Sequence, residues 1–318
     1  MSVSIEPIFL RPVFKERIWG GTKLQELFGY AIPSDHTGEC WAVSAHPHGQ
    51  SVVAGGKFAG KTLGQLWTEH PELFAGSKAK TFPLLVKILD ASDDLSVQVH
   101  PDDEYAAAHE NGELGKTECW YVLDAAPGAE IVFGHTATTK EELSEMIRTG
   151  QWDRLLRRVP VRQGDFFFVP SGTIHALGKG IVVLETQQSS DTTYRVYDYD
   201  RRDAQGNLRE LHLDKAIEVT TVPHTEPGLD YYAETKENAL ITTLVSNSFF
   251  TVQKWRINGS TTFTCPGAFT IYSVISGKGE LHLGEKSFQL LKGDHFLLPA
   301  CEASFEIDGK LEIIMSRE

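Results

Sequence analysis

Gly164-Asp-Phe-Phe-Phe-Val-Pro-Ser-Gly-Thr-Ile-His175 is where the reading of this chain begins. Phe166 to Val169 is aromatic and β-branched and only four residues long, which reads as a short buried strand. Pro170 ends it, since proline has no N–H for a sheet ladder. Ser171 and Gly172 make a turn, and Ile174 and His175 open the next strand. The pattern delivers a histidine at a tight corner between strands.

Working outward, partners for that histidine come from two earlier segments. Leu95-Ser-Val-Gln-Val-His100 alternates, so Gln98 and His100 point the same way from one strand. In Glu118-Cys-Trp-Tyr-Val-Leu123, Glu118, Trp120 and Val122 share one face and Cys119, Tyr121 and Leu123 the other. Two imidazoles with a carboxylate suit zinc or another divalent ion, and a glutamine amide oxygen is a weaker, neutral fourth ligand. The expected metal set is Gln98, His100, Glu118 and His175. Basic residues stand close by: Lys116 lies two before Glu118, and Lys87 is the one charge in Phe82-Pro-Leu-Leu-Val-Lys-Ile-Leu89. Both are candidates to pair with a substrate phosphate. Glu185 ends the Ile181-Val-Val-Leu-Glu185 strand. Thr186 to Arg195 then gathers hydrogen-bonding groups with Asp191 and Arg195. Tyr197 to Arg202 reads as a surface loop, and its charges are assigned no role. The remaining histidines, including His46-Pro-His48, lack ligand spacing and read as structural or surface residues.

Most of the chain reads as short strands between Gly and Pro. Helices are expected at 62–75, with Thr62 as cap, at 139–158, with the capping box Thr139-Lys-Glu-Glu142 and a break at Gly150, in a turn at 102–110, and at 214–221. The polar, proline-bearing stretch 222–239 marks a boundary. Beyond it, Gly293-Asp-His-Phe-Leu-Leu-Pro299 repeats Gly164–Pro170 closely, but Ala300-Cys-Glu302 follows, with neither the glycine nor the histidine. The expected organisation is 1–235, a catalytic domain with helical insertions, and 236–318, a degenerate copy without metal ligands.

With 318 residues there is length for two domains. The net charge of −13 argues against nucleic acid and against anionic membrane surfaces as partners. An anionic substrate then needs a local basic pocket. The N-terminal residues show neither a basic nor an apolar leader region, and no apolar run approaches the ~20 residues of a membrane span. Cys40, Cys119, Cys265 and Cys301 lie far apart, so scattered thiols in a reducing cytoplasm are expected.

The spacing around His175 matches the second signature of the cupin β-barrels. More specifically, the chain resembles the type I mannose-6-phosphate isomerases of the short bacterial class. The resemblance rests on Ile18-Trp-Gly-Gly21, Gly38-Glu-Cys-Trp41 with Ala45-His-Pro47, Pro83-Leu-Leu-Val-Lys87, Val97-Gln-Val-His-Pro-Asp102, Gly115-Lys-Thr-Glu118, Val169-Pro-Ser-Gly-Thr-Ile-His-Ala176 and Ser190-Asp-Thr-Thr-Tyr-Arg195. It implies a mainly β fold of two cupin-type, jelly-roll-like barrels with a few helices on the first. It also implies one Zn2+ per chain at Gln98, His100, Glu118 and His175, with Arg195 as active-site arginine. Trp19 and Lys87 are expected to bind substrate. The implied reaction interconverts mannose 6-phosphate and fructose 6-phosphate through an enediol. Glu185 is then the first candidate base and Asp191 the second, and Lys116 assists with charge. A sugar phosphate is the expected partner, and the chain is expected to be cytoplasmic and a monomer or weak homo-oligomer. Two other readings stay open at this stage: a metal-dependent bicupin oxygenase, and a bicupin that binds sugar phosphate without turnover.

Overall fold

The computed structural model describes residues 6–75, 77–202, 206–229 and 231–318. The first five residues of the stretch read for a leader, and Asp230 of the boundary stretch, lie outside that set. The fold is mainly β, in three open antiparallel sheets rather than closed barrels. One six-stranded sheet runs in the order Phe166–Val169, Glu118–Ala125, Ile181–Gln188, Leu84–Ala91, Thr37–Val43, Val13–Gly21. Against it lies a five-stranded sheet ordered Tyr194–Tyr197, Val97–Val99, His175–Leu177, Glu130–His135, Leu156–Pro160. Side chains from both meet in one core that includes Trp19, Leu89, Trp120, Val122, Ile131, Phe133, Leu177 and Val183. Two sheets with their apolar faces together make a jelly-roll sandwich.

The alternation in Glu118–Ala125 works as its period requires. Trp120 and Val122 face this inner core, while Cys119, Tyr121 and Leu123 pack into a second one on the outer face. That outer core includes Leu244, Val252, Phe269 and Ile271 from beyond the boundary stretch, so the six-stranded sheet is buried on both faces. This accounts for the near-continuous apolar run in Leu84–Ala91, where every residue is buried.

The third sheet has ten strands, built mainly from Tyr232 onward around two long strands, Thr270–Leu283 and Ser304–Arg317. The early strand Ile8–Arg11 joins it by pairing with His295–Leu298. The boundary stretch itself contributes Tyr232–Lys236, which pairs with Ala239–Ser246.

Helices fall where the caps predict. Thr62 makes a full capping box over Leu63–Glu69, followed by a 3-10 turn at Pro71–Phe74. Thr139 caps Lys140–Arg148. The chain breaks at Gly150 (φ +69°), and the helix resumes only for Trp152–Leu155. The expected run to 158 stops short because Leu156 starts a strand beside Glu130–His135. The cysteine expectation needs correcting. Cys40 and Cys119 are free and buried, but Cys265 and Cys301 are paired, with Cα atoms 5.7 Å apart. Strand pairing between Thr261–Thr264 and Ser304–Arg317 brings their neighbourhoods together, which a separation of 36 residues hides.

Candidate metal centre and substrate cavity

The corner is stitched to both partner segments by its backbone. Phe166–Val169 pairs with Glu118–Tyr121, placing Val169 opposite Glu118. Gly172 has φ +81° and donates its N–H to the His100 carbonyl at 2.8 Å. A Cβ there would meet Thr221 Oγ1 at 2.5 Å, so glycine is required on both counts. His175 is then the register partner of Gln98.

Three of the four expected ligands converge on one point. His175 Nε2 lies 3.2 Å from Glu118 Oε1, and His100 Nε2 lies 3.5 Å from Glu118 Oε2. All three residues are buried. Each imidazole turns its Nδ1 outward to a main-chain carbonyl, His100 to Thr192 O at 2.9 Å and His175 to Thr173 O at 2.8 Å. A carbonyl only accepts, so the proton sits on Nδ1 and both Nε2 lone pairs face the centre. Burial, then the nearby Lys116 charge, holds the His100 pKa well below its usual value, so the ring stays neutral. Glu118 Oε1 is buried without a hydrogen-bond partner. Two inward lone pairs and an unsatisfied buried carboxylate oxygen are a donor set that fits a divalent cation. Among the described residues this is the one such grouping of His, Cys, Asp and Glu. Gln98 stands beside it with its amide nitrogen 3.3 Å from His175 Nε2. An oxygen ligand at that position needs the amide turned over.

Lys116 reaches the same point. Its ammonium bonds Glu118 Oε2 and lies 3.0 Å from His100 Nε2. Burial alone would push its pKa down, but the charges of Glu118 and Glu185 push it up, and the charged form prevails. Burial likewise acts to raise the Glu118 pKa, and the Lys116 charge holds it well below the carboxylate range.

Above this floor opens a cavity of about 980 Å³. Gln98, Lys116, Glu185, Asp191, Arg195, Lys87 and Trp19 all line it, so every sequence-predicted site residue sits in the triad or in the cavity wall. Glu185 is almost fully buried and has both oxygens engaged. Trp120 Nε1 donates to one at 2.9 Å, and Lys87 lies 3.5 Å from the other. Their pairing follows from register, because Glu185 is opposite Lys87 on one side and Trp120 on the other. Asp191 is half-buried and bonds His48 Nδ1 at 2.9 Å through Oδ2. Burial acts to raise its pKa, but Lys87, the His48 bond and Lys116 bring it below the usual aspartate value. Arg195 donates from Nε to Ser96 Oγ (3.3 Å) and from one terminal nitrogen to Glu210 O (2.7 Å).

Sequence reading missed several residues of this wall. Arg202 and Arg209 line the cavity, although Tyr197–Arg202 was assigned no role. Its charges are organised by Asp198, which is buried and takes bonds from Arg201 (2.6 Å) and from Arg209 Nε (2.7 Å). The signal was present: an acid flanked by three arginines within twelve residues is unlike an ordinary solvated loop. Arg17 and Glu39 form another paired part of the wall, at 2.9 and 3.1 Å, with Trp41 Nε1 donating to the same carboxylate at 2.6 Å.

Comparison with known proteins agrees with the family resemblance carried by the sequence motifs. Residues 8–123 match the family model "Phosphomannose isomerase type I, catalytic domain", and residues 240–318 match "Mannose-6-phosphate isomerase, cupin domain". The chain is 57% identical to mannose-6-phosphate isomerase ManA of Bacillus subtilis over 99% of both chains. The chain belongs to the type I mannose-6-phosphate isomerase family. It is also 55% identical to the mannose-6-phosphate isomerase of Streptococcus mutans over 98% of both chains. Among solved structures, the crystal structure of the Bacillus subtilis mannose 6-phosphate isomerase superposes with a TM-score of 0.96 at 54% identity, covering 98% of this chain and 99% of that one. The second family match ends with the chain and begins just past the boundary stretch, on the half that lacks the ligand corner.

Proposed function

We propose that this chain interconverts mannose 6-phosphate and fructose 6-phosphate with one zinc ion per chain. The single observation that carries this reading is the buried His100–Glu118–His175 set under a cavity lined by Lys87, Lys116, Arg195, Arg202 and Arg209 in a protein of net charge −13. Local positive charge in an acidic molecule is what a sugar phosphate needs. Held by His100, Glu118, His175 and a turned Gln98, zinc supplies a Lewis acid for the sugar oxygens.

The remaining work falls to side chains. Moving one proton from C2 to C1 and one from O2 to O1 converts the aldose to the ketose, passing through an enediolate, with no external oxidant or reductant. We place the base at Asp191 rather than Glu185. What supports Asp191 is its Oδ1, which has no hydrogen-bond partner among the described residues, whereas both Glu185 oxygens are already engaged. Its lowered pKa keeps the basic form populated at neutral pH. Asp191 takes the C2 proton, the electron pair left at C2 forms the C1–C2 double bond, and the carbonyl pair moves onto O1. The O2 hydroxyl proton then passes to O1, the pair left on O2 forms the C2 carbonyl, and Asp191 returns its proton to C1. Lys116 donates toward the enediolate oxygens, and Glu185 holds Lys87 in place. The phosphate lies against Arg195, Arg202 and Arg209. Each of these guanidinium groups keeps donors unspent after its bonds to Ser96 and Glu210, to Gly206, and to Asp198. Trp19, buried in the wall, packs beside the sugar.

On this reading residues 1–235 are the catalytic domain and 236–318 a cupin domain without ligands. Every group named comes from one chain, so a monomer or weak homo-oligomer suffices. The enzyme works in the cytoplasm, where charged sugar phosphates are retained. No helix among the described residues is long and apolar enough to cross a membrane.

The test is conversion of mannose 6-phosphate by purified protein before chelation, after it, and after zinc is restored. Activity should vanish and return. Turnover that survives complete metal removal would overturn the zinc assignment. No turnover from zinc-loaded protein would overturn the isomerase reading and leave oxygen consumption or binding alone to be assayed.

A further inference from the structure

His46-Pro-His48 has no ligand spacing, and the isomerase reading uses neither ring. The structure nevertheless sets both against the loop that carries Asp191. His48 Nδ1 lies 2.9 Å from Asp191 Oδ2. A carboxylate only accepts, so His48 donates from Nδ1. The His48 ring meets the His46 ring edge to face, with centroids 4.7 Å apart. His46 is itself fixed. It is 4% exposed, its Nδ1 accepts the His48 backbone N–H at 3.2 Å, and its ring packs edge-on against Trp41 at 5.9 Å. On its far side Nε2 faces Glu113 Oε2 at 3.7 Å. An exposed histidine is thus braced by a buried one, and its donor is aimed at a cavity-lining carboxylate.

We propose that His48 is a positioning residue that holds the Asp191 carboxylate in its reactive orientation. Lys87 and Lys116 both attract that carboxylate from the cavity side. Without the His48 bond the carboxylate is free to turn toward either charge. The His48 bond takes Oδ2 and leaves Oδ1 for the substrate. The same loop carries Thr192, whose carbonyl accepts from His100 Nδ1. The proposal rests on the assignment of Asp191 as the base, and its test separates the two.

The experiment compares His48→Leu, His48→Asn and Asp191→Asn, singly and as His48→Leu/Asp191→Asn, in the zinc-loaded full chain. A misplaced base costs on the order of 10- to 100-fold in turnover. His48→Leu should therefore lower kcat by about that factor, with KM within about twofold, and with zinc content and Tm unchanged. His48→Asn, whose side-chain amide N–H can donate to the same oxygen, should restore most of kcat. In the Asp191→Asn background His48→Leu should have no further effect. Full kcat in His48→Leu, no rescue by asparagine, or an undiminished loss in the Asp191→Asn background would each overturn the proposal. Imidazole ¹⁵N NMR supplies a readout that needs no activity: the His48 Nδ1–H resonance should shift on Asp191→Asn. An unchanged resonance would overturn the contact itself, even if the isomerase reading stood.

Discussion

At Gly164 and at Gly293 the backbone makes the same turn. φ is +93° at one and +95° at the other. Gly164 N–H donates to Val122 O, and Val122 N–H donates to Asp165 O, both at 2.9 Å. Gly293 and Val274 exchange the same pair of bonds with Val274 and Asp294, again at 2.9 Å. The aspartate closes each turn on a backbone N–H, Asp165 on Arg162 at 2.8 Å and Asp294 on Leu291 at 2.7 Å. Beyond the prolines the two corners part. The first passes through Gly172 and brings His175 to Glu118. In the second, the chain continues to Cys301, which is paired with Cys265. Four residues before Val122 stands Glu118; four before Val274 stands Thr270, whose hydroxyl bonds Tyr272 OH at 3.1 Å. The interior that holds His100, Glu118 and His175 in one half is filled in the other by rings. Trp255 stacks on Phe263 with centroids 4.2 Å apart, and Tyr272 stacks on Phe296 at 5.0 Å. The turn chemistry therefore builds the scaffold in both places, and three or four side chains decide whether the scaffold is a centre or a core.

That contrast is broken most severely at Glu118. Glu118→Gln keeps the shape and removes the charge, so bound zinc should fall sharply and kcat/KM should drop at least about 10³-fold, roughly 4 kcal/mol of transition-state stabilisation. Thr270→Val, at the corresponding place, should leave kcat/KM within about twofold. Metal analysis with steady-state kinetics on both variants decides it, and comparable losses in the two would erase the distinction between the halves.

A buried histidine in the second half offers a sharper test of how that interior is held together. His295 is buried, with Nε2 2.9 Å from Tyr30 OH and Nδ1 2.8 Å from Ser273 Oγ. Burial lowers its pKa to about 3. The unfolded chain binds that proton near pH 6.5, so the stability associated with the neutral ring is complete above pH 6.5 and is lost as pH falls toward 3. At pH 4.5 the loss from this one group is about 2–3 kcal/mol. Denaturant unfolding at pH 7.5 and 4.5 should show that much extra acid sensitivity in wild type relative to His295→Gln. Equal pH dependence in the two would mean that the ring is not held neutral.

The smallest effect tests the shared turn. An L-residue in the left-handed region costs roughly 1–2 kcal/mol. Gly164→Ala and Gly293→Ala should each lose about that much stability. Gly293→Ala should lose more, because a Cβ there meets the Tyr30 ring at 3.2 Å, whereas at Gly164 the nearest atom is 3.9 Å away. Thermal unfolding of the pair orders them.

Much of this was legible in the chain. Gly-Asp, an apolar run and Pro define the corner locally, and period-two alternation sends Gln98 with His100, and Glu118 with Trp120, to common faces. Local patterns of this kind survive folding because backbone sterics and side-chain period act over a few residues. What the sequence left open was settled by contacts between distant segments. Glu185 and Asp191 look equivalent as acids. Only the register of Ile181–Gln188 between Lys87 and Trp120 engages both oxygens of the first, and only the fold brings His48, 143 residues away, to the second. Asp198 read as a loop charge until the chain folded Arg201 and Arg209 onto it. Cys265 and Cys301 read as lone thiols until strand pairing joined them. Which residues have the right chemistry is written in the sequence; which of their atoms remain free to use it depends on partners that only the tertiary structure supplies.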